Sequence, residues 1–154
     1  MYMKSLVSLA VLGAMSAVAT AGDLVVFDNP NESYTVDRLS KYGATIKASD
    51  ITITNTTYNG IDAYGVFDLN AANDISIQGA TNGIFTPTDH ENSSITIKTP
   101  KKLTITGPWA IHAEGKGTIT IDAGDLVLRG SNGIAANSTG TVSIDAQTVD
   151  IAST

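Results

Sequence analysis

No cysteine stands anywhere in the 154 residues, so neither a disulfide nor a thiolate metal site can hold this chain together. Basic residues are scarce as well: nine Lys and Arg stand against fifteen Asp and Glu, a net charge of −6. Lys101-Lys102 is the one adjacent basic pair. Binding nucleic acid through its phosphates requires a basic face, so nucleic acid is excluded as a partner. A long apolar run is also missing. Leu6 to Ala19 is interrupted by Ser8 and Ser16 and is shorter than the roughly 20 apolar residues of a membrane-spanning helix. Lys4 precedes it and Ala19-Thr20-Ala21 follows, a small-x-small cleavage pattern. Residues 1–21 therefore read as a signal peptide cut before Gly22, and loss of Lys4 would leave the mature chain at −7.

What is present is a repeat. Three short alternating runs recur along the chain, and each can be followed separately. One appears as Ala44-Thr45-Ile46-Lys47-Ala48, Phe67-Asp68-Leu69-Asn70-Ala71, Ile95-Thr96-Ile97-Lys98-Thr99, Ile119-Thr120-Ile121-Asp122-Ala123 and Val142-Ser143-Ile144-Asp145-Ala146, at spacings of 23, 28, 24 and 23. A second recurs at Ile51, Ile75, Leu103, Leu126 and Val149, and is preceded by Asp at Asp50, Asp74 and Asp125. A third follows an Asn-Gly corner and recurs at Ile61, Ile84, Ile111 and Ile134. All three lengthen in the same unit, the one that contains Pro87 to Ser94.

A period near 23 with three alternating runs per unit predicts an all-β parallel β-helix, or β-solenoid, of about four to five coils. Equivalent runs pair as parallel strands about 4.8 Å apart. The Leu-rich frame and helical segment of leucine-rich repeats are absent, and hexapeptide coils run at about 18 residues. The expected organisation is a signal peptide over 1–21, an N-terminal cap over 22–43, and coils over 44–154. Alternation places Ile75, Ile77, Ile95, Ile97, Leu103, Ile105, Ile111, Ile119, Ile121, Leu126, Leu128, Ile134, Val142 and Ile144 inside. Asn at stacked corners forms amide ladders and tolerates the left-handed backbone. Trp109-Ala110 replaces the Asn-Gly of Asn59-Gly60, Asn82-Gly83 and Asn132-Gly133, so Trp109 interrupts such a ladder.

A signal peptide followed by Asn-Gly-cornered coils of Ile-Thr-Ile-Asp-Ala type resembles the passenger region of autotransporters and filamentous-haemagglutinin-type adhesins, over roughly 44 to 152. The resemblance implies a right-handed β-helix exported by a Gram-negative-type cell and displayed at, or shed from, its surface. It also implies an outer-membrane translocator barrel, further along the same chain or as a separate one. Because Thr154 follows directly on the strand Val149 to Ile151, the sequence reads as a fragment of a longer protein.

The same register sorts the chemistry. Asp122 and Asp145 stack one coil apart, continuing a column of Lys47, Asn70 and Lys98; Ca2+ wants six or more oxygen ligands, so the pair reads as a solvated face and no metal or other cofactor is expected. Outward Asp62, Phe85, His112 and Ala135 are equivalent, which puts the one Asp and the one His two coils apart. The clustered Asp with Arg or His of β-helical polysaccharide lyases and hydrolases is missing, so no catalytic residue is assigned and the chain is read as a non-catalytic adhesin or scaffold segment. A glycan-active enzyme is the alternative. Binding candidates are Phe85, an outward aromatic; Asp89 and His90 in the lengthened link; Trp109, whose parity with Ile111 points first to packing and second to contact; and His112, an exposed polar residue. The partner expected there is a host glycan or surface protein.

Overall fold

The computed structural model describes residues 24–40, 43–88 and 93–154, together with the short segments 7–8 and 15–16. The chain is an all-β parallel β-solenoid of about five turns, with no helix among the described residues. Of the residues read as a signal peptide, only β1 (Val7–Ser8) and β2 (Met15–Ser16) are described. The remainder of that segment lies outside the described residues.

Each turn contributes strands to three faces. The first face stacks β3 (Val25–Asn29), β6 (Gly43–Ala48), β9 (Val66–Ala71), and the leading halves of β12 (Ser94–Thr106), β14 (Thr118–Arg129) and β16 (Thr141–Ala152). The second stacks β4 (Tyr34–Val36), β7 (Ile51–Thr54), β10 (Ile75–Gln78) and the trailing halves of the same three long strands. The third stacks β5 (Leu39–Ser40), β8 (Ile61–Asp62), β11 (Asn82–Thr86), β13 (Trp109–Ala113) and β15 (Asn132–Ala136). The columns expected from spacing are present in register, including Lys47, Asn70, Lys98, Asp122 and Asp145. Among the described residues no group of three or more His, Asp or Glu is placed to hold a metal ion.

The apolar residues of each run point inward and form one continuous core from Phe27 to Leu128. Eleven of the fourteen expected interior positions are buried; Val142 and Ile144 are half-buried and Ile134 is 38% exposed. Their parity is right, but β16 pairs with β14 alone and β15 with β13 alone, so among the described residues no strand covers their upper side. Residues 25–40, within the segment read as an N-terminal cap over 22–43, form three strands in register with the next turn. This turn is shorter than the others: Val25 pairs with Ala44 and Tyr34 with Ile51, offsets of 19 and 17. A count at 23 passes over it.

The corners explain the recurrent polar residues. Asp50 Oδ1 accepts from the Asp74 backbone N–H at 3.3 Å, and Asp74 Oδ1 from that of Lys102 at 3.1 Å. The Asp before the second run thus ties each of these two turns to the one above. Asn-Gly corners are not left-handed, since among the described residues only Ser138, Gly43 and Gly115 have positive φ. Glycine is there for close approach: a Cβ on Gly60 would lie 2.8 Å from the Gly83 carbonyl oxygen and 2.9 Å from Ile77 Cγ2. Asn82 Nδ2 donates to Asn59 Oδ1 at 2.8 Å, so the amide ladder does form between these two turns.

Candidate functional site

The third face carries the chain's one tryptophan and the residues that gather around it. Four in-register strands set their positions: Phe85 pairs with Asp62 below and His112 above, and His112 with Ala135. Outward side chains at one register position stand about 4.8 Å apart, which brings the Phe85 and His112 rings into contact. Their centroids are 5.5 Å apart and the planes tilted by 58°. Trp109, three residues before His112 on β13, also stacks on the imidazole, at 5.1 Å and 24°.

Trp109 therefore does not follow the parity of Ile111. β13 has Ala110 and Ile111 both buried, with Trp109 and His112 half-buried. Alternation breaks at that point because the chain is still turning the corner, and the indole leaves on the outward side. His112 also differs from the expectation of an exposed polar residue. Its side chain is 15% exposed, because the two flanking rings and the next turn cover it. Phe85 is outward, as its parity requires, and half-buried against the imidazole.

Two polar groups compete for one imidazole nitrogen. Asn137 Nδ2 lies 3.0 Å from His112 Nε2, and Glu114 Oε1 lies 3.2 Å from the same atom. A bare Nε2 accepts from the amide; a protonated one donates to the carboxylate, and the Asn137 amide then turns its oxygen inward. Glu114 was not singled out by the sequence, and Asn137 only as the first residue of an Asn-Ser-Thr triplet. The available signal was the pairing of Ala113 with Ala136, which sets Glu114 and Asn137 side by side one turn apart.

Below the indole the ladder stops. Asn59 Nδ2 donates to Asp62 Oδ1 at 2.5 Å and Asn82 Nδ2 to Asn59 Oδ1 at 2.8 Å. Asn82 pairs with Trp109, which offers no side-chain amide in that direction. Asn82 is 6% exposed and its Oδ1 has no hydrogen-bond partner. An unsatisfied buried carbonyl costs roughly 1–3 kcal/mol, so tryptophan at position 109 carries a structural penalty.

The other sequence candidates separate from this cluster. Asp89 and His90 lie outside the described residues. Asp62 and His112 are separated by Phe85, hence two turns apart. Asn55, which opens an Asn-Thr-Thr triplet of the glycosylation pattern, is 4% exposed and its Oδ1 accepts from the backbone N–H of Thr57 and Tyr58, which makes it a turn residue. No protein-family model, curated protein or solved structure matches the chain.

Proposed function

We propose that the chain is an exported, non-catalytic β-solenoid that acts as an adhesin or display scaffold, with Trp109, His112 and Phe85 as its contact surface for a host glycan. The observation that carries this reading is the interrupted ladder. Asparagine at position 109 would continue the column from Asn59 and Asn82 toward Asn132 and give Asn82 Oδ1 a donor. Tryptophan leaves that atom unpartnered and sets a ring on the surface, stacked on His112. Residues that break a local structural rule without structural gain are expected where a surface has work to do. Exposed aromatic faces suit sugar rings, whose C–H faces meet the electron-rich π surface while their hydroxyls reach neighbouring carboxylates and amides. Glu114 and Asn137 are placed to receive such hydroxyls.

The alternative, a glycan-active enzyme, draws on the His112–Glu114 pair at 3.2 Å. It needs a second acidic group across the scissile bond, and Asp62 is two turns from His112. Both readings are tested on one immobilised panel of neutral and acidic polysaccharides and host glycans. The adhesin reading expects retention without turnover, lost in Trp109→Ala and Phe85→Ala proteins whose circular dichroism is unchanged. Product release abolished by His112→Ala would replace it with the enzyme, and retention unaffected by both aromatic substitutions would remove the site.

A further inference from the structure

A second aromatic side chain stands on the same edge of the solenoid. Tyr58 is 58% exposed, yet its backbone is held from both sides. Asn55 Oδ1 accepts from the Thr57 N–H at 2.8 Å and the Tyr58 N–H at 2.7 Å, while the Tyr58 carbonyl accepts from Ala80 at 2.7 Å and Thr81 at 3.3 Å. The Arg38 guanidinium sits over one face of the ring, 5.3 Å from its centroid. An exposed ring on a locked loop is ordered before anything binds, which lowers the entropy cost of contact.

The hydrogen bonds also place this ring relative to the indole. Thr81 N–H donates to the Tyr58 carbonyl, and Trp109 N–H donates to the Thr81 carbonyl at 3.4 Å. Tyr58 and Trp109 thus stand on one corner, two turns apart, about 10 Å along the axis at two strand spacings. At that corner the turn between them presents Ala80 and Thr81, both exposed and small.

We infer that this ridge binds an extended, uncharged β-1,4-linked hexopyranose chain lying parallel to the solenoid axis, with Trp109 and Tyr58 stacking on residues two apart. The inference rests on the glycan-contact reading above and names the ligand class of that surface. In an extended β-1,4 chain each ring advances by about one solenoid turn and is flipped relative to its neighbour. Residues two apart therefore present the same face, which is what two aromatics on one edge, two turns apart, can use. Charge narrows the class: with a net charge of −6, and with Asp62 and Glu114 beside the cluster, a polyanion would be repelled.

Calorimetry on the full chain with cellohexaose and hexa-N-acetylchitohexaose, each compared with its own disaccharide, tests this. One hexasaccharide is expected to bind at least about tenfold more tightly than its disaccharide, because both contacts then share one ligand. Tyr58→Ala should reduce the hexasaccharide to the affinity of the disaccharide and leave the disaccharide unchanged, while Tyr58→Phe retains the full difference. Equal affinity at both lengths, or a length dependence that survives Tyr58→Ala, overturns the inference and leaves the contact at Trp109 standing. The inference also fails if neither hexasaccharide binds. If the polysaccharide panel is then negative too, the glycan-contact reading falls with it, whereas retention of another glycan class through Trp109 preserves that reading alone.

Discussion

Replacing Trp109 by asparagine and, separately, by alanine isolates the cost of the interrupted ladder. Both substitutions remove the indole, its stack on His112 at 5.1 Å and whatever apolar surface it covers. Only asparagine supplies an amide that can donate to Asn82 Oδ1, the buried acceptor that lacks a partner. The difference between the two variants therefore cancels the lost ring contacts, leaving the relief of one unsatisfied buried group, roughly 1–3 kcal/mol. With a urea m-value of roughly 1–3 kcal/mol/M, the Trp109→Asn midpoint should lie about 1 M above that of Trp109→Ala. Far-UV circular dichroism is the readout, since neither variant retains a tryptophan. Glycan retention should be lost equally in both. Coincident midpoints would refute the ladder argument, because position 109 would then impose no penalty for a function to explain.

Three further outcomes follow from the same structure. Ile121→Asp, at a core position 1% exposed, should cost about 4 kcal/mol or more by burying an unpaired charge, whereas Thr120→Asp on the outward side should cost less than about 1 kcal/mol; equal urea midpoints would show the alternation assigned to the wrong face. Tyr34 is 2% exposed, its hydroxyl has no partner, and burial pushes its pKa up to about 12. The folded state therefore holds the neutral phenol while the unfolded chain ionises near 10, so about 3 kcal/mol present below pH 10 is lost as pH rises toward 12; Tyr34→Phe should remove that alkaline decline in a pH series of thermal melts, and an unchanged decline would contradict it. Burial opposes ionisation of Asp50, but the Asp74 N–H and the Ser49, Asn73 and Ser33 side chains outweigh it and hold its carboxyl below the usual range. That contribution is present above about pH 4 and lost as pH falls through the depressed value, so Asp50→Asn should flatten the acid limb of the same series, and an identical limb would count against the corner role.

Where every turn repeats the same requirement, the sequence shows it. Ile75, Leu103 and Leu126 must fill the same interior column, and Lys98, Asp122 and Asp145 the same outer one, so spacing alone recovered the register. The turn over 25–40 was hidden because its links are shorter, and a run that departs from the period has no count to fix its partner. The exposure of Ile134 depends on which strands have a neighbour on both sides, which alternation does not encode. At the site, the column of Asp62, Phe85 and His112 was legible, and so was the break that Trp109 makes in the asparagine ladder. The outward exit of the indole was not, because parity is lost where the chain turns a corner. Tyr58 also escaped attention, since its rigidity comes from Asn55 in its own loop and from Ala80 and Thr81 one turn away.

Trp109 is the chain's one tryptophan, so its emission reports on the proposed contact without any label. The account predicts that titrating the folded chain with a retained glycan shifts or quenches this emission saturably, with the same midpoint as the heat of binding, and that Phe85→Ala lowers both together. An emission spectrum that stays constant through a titration in which calorimetry records saturation would contradict it, by placing the ligand away from Trp109.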